Sequence, residues 1–115
     1  MTVQEIEAEL LNRLDANKRR SDNPILAEHL EQVPPIKTQG GLSFSMQASA
    51  FHYCSPRNSN GPYDAVELGF PSERVEAFMP YVEDASAPTE TVYGWVPVSI
   101  IAQVIADHGG FAAAD

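Results

Sequence analysis

The chain has 115 residues, of which 43% are hydrophobic, and it carries a formal net charge of −9 at neutral pH. This length fits one domain with its own core, and the hydrophobic share argues against disorder along the whole chain. The charge disfavours direct binding to DNA or RNA, because proteins that neutralise phosphates are normally basic on at least one face.

The first predicted element is a helix at the N-terminus. Thr2 and Glu5 have the spacing of a capping box, in which each side chain accepts a hydrogen bond from the other residue's backbone N–H. Apolar residues then recur at helical spacing along one stripe: Val3, Ile6, Leu10 and Leu14. Such a stripe is typical of a helix that packs by one face.

A second, shorter helix is predicted to follow the first. Pro24 suits the first position of a helix, and the pair of prolines that begins at Pro34 would end it. From Pro34 to Gly41 the chain has the composition of a linker, with prolines and glycines on either side of a polar stretch.

These elements predict two parts within one domain overall. Residues 1–37 would form a helical hairpin arm, and residues 38–115 would form a compact α+β body. The apolar stripe of the arm needs a cover, which is either the body or a second copy of the chain. We favour a homodimer that pairs the stripe through Ile6, Leu10 and Leu14.

The body is predicted to contain three strands. The first, from Leu42 to Cys54, alternates apolar and polar residues, and its phase changes near Ala50, which a β-bulge would explain. Shorter strands are predicted from Tyr63 to Phe70 and from Thr91 to Val96.

Two further helices are predicted in the body. Ser72 can cap a short helix that Pro80 would end. Pro97 can begin the last helix, and the pair Gly109-Gly110 can supply its left-handed C-cap. The predicted fold class is therefore α+β: an N-terminal helical hairpin followed by a three-stranded antiparallel sheet packed against a C-terminal helix.

His52 and Cys54 are the residues with the chemistry of a catalytic pair. They lie two residues apart on a predicted strand, so their side chains share a face and could form an activated thiolate. With Asp107 and His108 they could also surround a metal, but none of these spacings is that of a zinc motif. No third group that would orient the histidine is evident. We therefore predict no catalytic residue, no metal site and no cofactor.

The acidic residues are distributed unevenly. Residues 1–37 hold five Lys/Arg and seven Asp/Glu, a net of −2, whereas residues 38–115 hold two and nine, a net of −7. The acidic residues predicted to contact a partner are Asp64, Glu67, Glu73, Glu76, Glu83, Asp84 and Glu90. This set either keeps the chain soluble or imitates nucleic-acid phosphates in the basic groove of a partner.

Four further residues are predicted to contact a partner. Arg57 lies in the loop between the first two strands beside Tyr63, and both residue types are enriched at binding hot spots. Tyr93 and Trp95 are two residues apart on the third strand, so they are predicted to share a face. That face is either part of the core or, if it is open, a patch that binds a partner.

The composition also bears on the compartment. The chain has one cysteine, so an intrachain disulfide is excluded, and no apolar run approaches the roughly 20 residues that span a bilayer. The first residues lack the basic and apolar regions of a signal peptide. We therefore expect a cytoplasmic protein without a membrane partner.

Two stretches of the chain resemble small uncharacterised proteins of bacteriophages and prophages. One is QASAFHYCSPR, from Gln47 to Arg57, and the other is VYGWVPV, from Val92 to Val98, followed by His108-Gly109-Gly110. The resemblance covers about residues 45–110 and includes no catalytic signature. It implies an inhibitor of host defence, of the anti-CRISPR type, in the cytoplasm of a bacterial host cell.

The expected function is therefore non-catalytic inhibition of a host defence complex by protein–protein binding, without direct contact to nucleic acid. Three alternatives come from other classes: a protein that sequesters a nucleotide or other small molecule, a thiol enzyme that uses Cys54, and a component of a virion or its assembly. Binding that weakens with salt would favour the inhibitor, and a nucleotide-dependent rise in melting temperature would favour sequestration. Loss of activity in Cys54→Ala would favour the thiol enzyme, and presence in purified particles would favour the virion component.

Overall fold

The computed structural model describes most of the chain. The described residues are 1–21, 34–48, 54 and 64–112, and within the first helix the side chains are described as far as Leu14. The predicted second helix after Pro24 and the predicted bulge near Ala50 lie outside these residues.

Helix α1, Val3–Ser21, confirms the first predicted element. Its capping box is formed as predicted, since the N–H of Thr2 donates to Glu5 Oε1 at 2.9 Å and the N–H of Glu5 donates to Thr2 Oγ1 at 3.1 Å. The hydrogen bond from the Thr2 backbone lowers the pKa of Glu5, because the ionised carboxylate is the better acceptor. The helix therefore begins where two local side chains satisfy its first N–H groups.

The sheet has four antiparallel strands rather than the predicted three, in the order β1-β2-β3-β4. They are β1 Ile36–Lys37, β2 Ser43–Gln47, β3 Ala65–Gly69 and β4 Val92–Pro97. The additional strand, β1, lies in the segment predicted to be a linker, where Ile36 pairs with Phe44 and is fully buried. Two residues are too few to show alternation, so only the pairing with β2 reveals this strand.

The helix predicted to begin at Ser72 is instead a 3₁₀ helix, Glu76–Tyr81. Ser72 does not cap it, because its Oγ accepts the N–H of Ser43 at 3.0 Å. The N–H of Ser72 also donates to the carbonyl of Ser43 at 2.8 Å. These two bonds hold the segment after β3 against the start of β2, so the helical turn begins later than predicted.

Helix α2, Val98–Asp107, follows β4 directly and ends at the predicted glycine pair. Gly109 and Gly110 have φ angles of 87° and 86°, in the left-handed region that glycine adopts without strain. The N–H of Gly110 donates to the carbonyl of Ile105 at 2.9 Å, and that of Gly109 donates to Ala106 at 3.1 Å. This pair of bonds is a Schellman motif, so the predicted C-cap is confirmed.

The segment after α2 returns to the first strand and to α1. The N–H of Ala112 donates to the carbonyl of Lys37 at 2.9 Å, and Phe111 pairs with Thr38. The guanidinium of Arg13 lies 4.3 Å from the centroid of the Phe111 ring, and its Nε lies 3.0 Å from Glu9 Oε1. Arg13 is thus held between an aromatic ring and a carboxylate.

One core joins the two helices and the inner face of the sheet. α1 packs against α2, and α2 contacts β4 and the 3₁₀ helix. Phe78 makes edge-on contacts with Phe44 and Tyr93, with ring centroids 5.7 Å and 6.3 Å apart. Edge-on aromatic pairs of this kind add about 0.5–1.5 kcal/mol each beyond the area they bury.

The apolar stripe of α1 belongs to this core. Ile6 and Leu10 are fully buried and Leu14 is 4% exposed, in one cluster with side chains of α2 and the sheet. This burial corrects the interpretation of α1 as an arm outside the core. It also removes the premise of the predicted homodimer, because a second copy could reach the stripe only if α1 left the body.

Candidate functional site

A β-bulge in β4 decides where the aromatic residues of that strand point. Val66 pairs with Val96 and Leu68 pairs with Tyr93, so Glu67 alone lies opposite the two residues Gly94 and Trp95. Trp95 has a φ angle of 53°, in the left-handed region that non-glycine residues rarely adopt. The extra residue shifts the alternation of the strand by one position.

The bulge corrects the prediction that Tyr93 and Trp95 share a face. Tyr93 is fully buried in the core and Val96 after the bulge is also fully buried, whereas Trp95 between them is 49% exposed. Tyr93 is therefore removed from the predicted partner-binding set, and Trp95 remains in it. An uninterrupted strand would have placed both aromatic side chains on one side.

Tyr93 has a structural role beside the exposed tryptophan. Its hydroxyl donates a short hydrogen bond to the carbonyl of Pro88 and so fastens the acidic loop, residues 83–91, to the core. Burial of the phenol raises the pKa of Tyr93, because the charged form would lose hydration. The loop is thus positioned by a side chain that itself cannot reach a partner.

Trp95 lines a surface groove of about 600 Å³ between β4 and the end of the 3₁₀ helix. The other residues that line it are Pro80, Tyr81, Val82, Glu83 and Gly94. Val82 pairs with Tyr93, and the N–H of Glu83 donates to the carbonyl of Val92 at 3.1 Å. These backbone contacts hold both walls of the groove at a fixed separation.

The groove combines apolar and aromatic walls with one carboxylate. Pro80, Val82 and the rings of Tyr81 and Trp95 supply the walls, and Glu83 supplies the charge. Glu83 is exposed, and no Lys, Arg or His of the described residues forms an ion pair with it. An apolar groove with one carboxylate among its lining residues can bind a side chain that has an apolar stem and a cationic end.

The other predicted acidic residues divide into two groups. Three have partners within the chain: Glu76 lies 2.6 Å from Arg74 Nε, Glu73 lies 3.4 Å from His108 Nε2, and Asp84 accepts hydrogen bonds from Ser86. The Arg74 side chain lowers the pKa of Glu76, and the Ser86 side chain lowers that of Asp84. These carboxylates are already engaged, so they have less capacity to bind a partner's cations.

Asp64, Glu83 and Glu90 form no ion pair with another residue that the structure describes, and Glu67 has a contact of its own. Asp64 and Glu90 are exposed, and Glu67, which faces the bulge, is half-buried. Glu90 belongs to the loop that Tyr93 fastens, as Glu83 does. Fewer carboxylates are therefore available to a partner near the groove than the sequence predicted.

Of the residues considered for catalysis and metal binding, the structure describes Cys54, Asp107 and His108. Cys54 is buried among core side chains, and His108 lies at the end of α2 with Nδ1 2.8 Å from the Val104 carbonyl. Within the described ranges no three His, Cys, Asp or Glu side chains are grouped so that they could hold a metal. His52, Arg57 and Tyr63 lie outside those ranges.

Two features of this surface were not predicted as such. The first is the groove, because only the fold brings Trp95 near Pro80 and Val82. The bulge beside it had a signal in the sequence, since a glycine such as Gly94 inside a strand pattern suggests a bulge. Phe70, the last residue of the strand predicted from Tyr63, is 60% exposed with a φ angle of 50°, whereas Val66 and Leu68 are fully buried. Its left-handed backbone turns the side chain outward at the end of β3.

Within the residues that the structure describes, no helix combines the length and the apolar character needed to cross a bilayer. Comparison of the chain with protein-family models, with curated proteins and with solved structures finds no match. The role of the groove therefore has to be argued from its own geometry and charge.

Proposed function

We propose that the chain is a non-catalytic binding protein that docks a basic segment of a partner protein in the Trp95 groove. The observation that carries this proposal is the position of Trp95, a large aromatic side chain that lies half exposed on a left-handed backbone in the wall of the groove. Such a conformation costs roughly 1–2 kcal/mol. It persists only where the surrounding structure enforces it, which is common at binding sites. Tryptophan is also among the residues that contribute most to binding energy at protein interfaces.

The charge of the chain supports a basic partner. The net charge is −9, and residues 38–115, which include the whole groove, contribute −7 of it. A field of this sign attracts cationic surfaces and raises the rate of encounter with them. The host defence complex implied by the resemblance to phage proteins is the class of partner that we propose to test first.

The groove gives less support to nucleotide sequestration. Its volume lies within the roughly 300–1,000 Å³ of small-molecule sites. However, the one charged side chain that lines it is the carboxylate of Glu83, which would repel phosphate. A protein segment with a cationic side chain satisfies the same groove without that repulsion.

The proposal is tested by affinity capture from a bacterial lysate with three forms of the chain: wild type, Trp95→Gly and Phe70→Gly. Phe70 is the matched control, because it is also an exposed aromatic residue with a positive φ angle but does not line the groove. We expect a protein that wild type and Phe70→Gly retain and that Trp95→Gly loses. Retention should also fall as salt is raised from about 0.05 M to about 0.5 M, because screening shortens the reach of exposed charges.

Two results would contradict the proposal. Equal retention by wild type and Trp95→Gly would show that the groove is not the contact surface. Retention that does not change with salt would show that the acidic charge does not contribute to binding.

A further inference from the structure

The groove has one wall on β4 and the other on a short stretch of chain, residues 80–83. This stretch ends the 3₁₀ helix and leads into the acidic loop. It is joined to β4 by the backbone contacts of Val82 and Glu83. The position of this wall therefore depends on those contacts and on what holds the helix before it and the loop after it.

One buried side chain contacts both the helix and the loop. The ring of Tyr93 makes an edge-on contact with Phe78 of the 3₁₀ helix, with ring centroids 6.3 Å apart. The hydroxyl of the same side chain donates to the carbonyl of Pro88 in the acidic loop. Tyr93 is fully buried, and Val82 pairs with its backbone. A single residue of β4 therefore holds the wall directly and holds the chain on either side of it.

The acidic loop connects the hydroxyl contact to the wall. Its residues are joined by two successive turns: the N–H of Ala87 donates to the carbonyl of Asp84 at 3.2 Å, and the N–H of Glu90 donates to the carbonyl of Ala87 at 3.0 Å. Pro88 lies within the second turn. Because the turns share Ala87, fastening Pro88 to the core restrains the loop back to the end that adjoins the wall.

We infer, on the basis of the proposed function, that Tyr93 is the positioning residue of the groove. Its hydroxyl holds the loop, and through the loop the wall that carries Glu83, in the conformation that binds the partner. Tyr93 does not touch the partner, because it is fully buried. It contributes to affinity by preorganisation, since a wall that is already ordered loses less entropy when a ligand binds.

The variant Tyr93→Phe isolates the hydroxyl, because it keeps the ring and removes only the hydrogen bond to Pro88. The first measurement is amide hydrogen exchange by NMR. The N–H groups of Glu83, Ala87 and Glu90 are hydrogen-bonded in wild type. They should exchange about threefold faster or more in Tyr93→Phe, because the loop opens more often without its bond to the core.

The second measurement is binding to the groove. The probe is a capped hexalysine peptide, and the readout is the NMR signal of the indole N–H of Trp95, the single tryptophan of the chain. We expect Tyr93→Phe to raise the dissociation constant about threefold to tenfold, which is the effect of having to order one flexible side chain or loop segment on binding.

The matched control is Ile36→Val. Ile36 is fully buried in β1, which is not a neighbour of β4 in the sheet, and it does not line the groove. Loss of one buried methylene and loss of one hydrogen bond lower the free energy of unfolding by similar amounts. A purely structural role of Tyr93 would therefore affect both variants alike. We expect Ile36→Val instead to keep the exchange rates of the loop and the dissociation constant of wild type.

The outcomes separate this inference from the proposed function. Equal dissociation constants for wild type and Tyr93→Phe would overturn the inference and leave the groove as the docking site. Exchange in the loop that is no faster in Tyr93→Phe than in Ile36→Val would also overturn it, because the hydroxyl would then not hold the loop. If the peptide does not shift the indole signal of wild type, docking of a basic segment fails, and the inference fails with it.

Discussion

At the scale of single residues, the molecule presents two exposed aromatic side chains on strained backbone. Trp95 and Phe70 have φ angles of 53° and 50°, and they are 49% and 60% exposed. For a residue with a Cβ atom, this conformation brings the Cβ close to a carbonyl oxygen and costs roughly 1–2 kcal/mol. The strain is independent of the side chain beyond Cβ, so alanine keeps it and glycine releases it.

This strain predicts an inverted preference between glycine and alanine. We expect Trp95→Gly to have a larger free energy of unfolding than Trp95→Ala by about 1 kcal/mol, and the same order for Phe70→Gly and Phe70→Ala. Urea denaturation measures the difference. Gln103, exposed within α2, is the control, because glycine there should be less stable than alanine by roughly 0.5–1 kcal/mol. An alanine variant more stable than glycine at position 95 would contradict the strain argument.

At the scale of elements, the start of α1 depends on two side chains that exchange hydrogen bonds with the backbone. Thr2 and Glu5 each accept an N–H of the other residue, which satisfies two of the four N–H groups that lack partners in the first turn. The negative charge of Glu5 also faces the positive end of the helix dipole. The contribution of the box therefore depends on the ionisation of Glu5.

The capping box predicts a pH dependence of stability with a definite sign. Folding lowers the pKa of Glu5 from its ordinary value of 4.5, so its contribution is present above that value and is lost as pH falls through the folded pKa. We expect the difference in unfolding free energy between wild type and Glu5→Gln to be present at neutral pH and to vanish in acid. Chemical denaturation at a series of pH values measures it.

The matched control for this prediction is Glu7→Gln, a carboxylate substitution on the same helix outside the capping box. It removes a carboxylate from the same helix and leaves the Thr2–Glu5 hydrogen bonds in place. A difference for Glu5→Gln that grows as pH falls would have the wrong sign and would contradict the assignment.

At the scale of the whole molecule, a single core makes the N-terminal helix and the sheet one folding unit. Leu10 is fully buried between α1 and the rest of the body, and the segment after α2 returns to contact both β1 and α1. Loss of α1 would expose apolar side chains of α2 as well as its own stripe. The stability of the monomer should therefore depend directly on the stripe.

We predict that Leu10→Ala lowers the free energy of unfolding by about 2–5 kcal/mol, because it removes transfer energy and leaves a cavity in a packed core. The loss should be the same at protein concentrations that differ by about a hundredfold, because the stripe packs within one chain. Urea denaturation at both concentrations checks this. If the urea midpoint of wild type rises with protein concentration and that of Leu10→Ala does not, the result would instead support the homodimer.

Part of the candidate site could be predicted from the sequence, and part could not. Trp95 and Glu83 were both named as partner-binding residues, on the basis of residue type and of the acidic character of residues 38–115. Tyr93 was grouped with Trp95, and only the register between β3 and β4 separates them. The groove itself joins β4 to the end of the 3₁₀ helix, so no local pattern could reveal it.

The sequence by itself determined those features that depend on residues close together along the chain. The capping box at Thr2 and the glycine pair at Gly109 act over a few residues, and the stripe of α1 follows from helical spacing. Tertiary structure alone decided that the stripe is covered by the chain's own body, that Ile36 joins the sheet and that Trp95 faces outward. These outcomes depend on strand register and on packing between distant segments, which alternation within one segment does not encode.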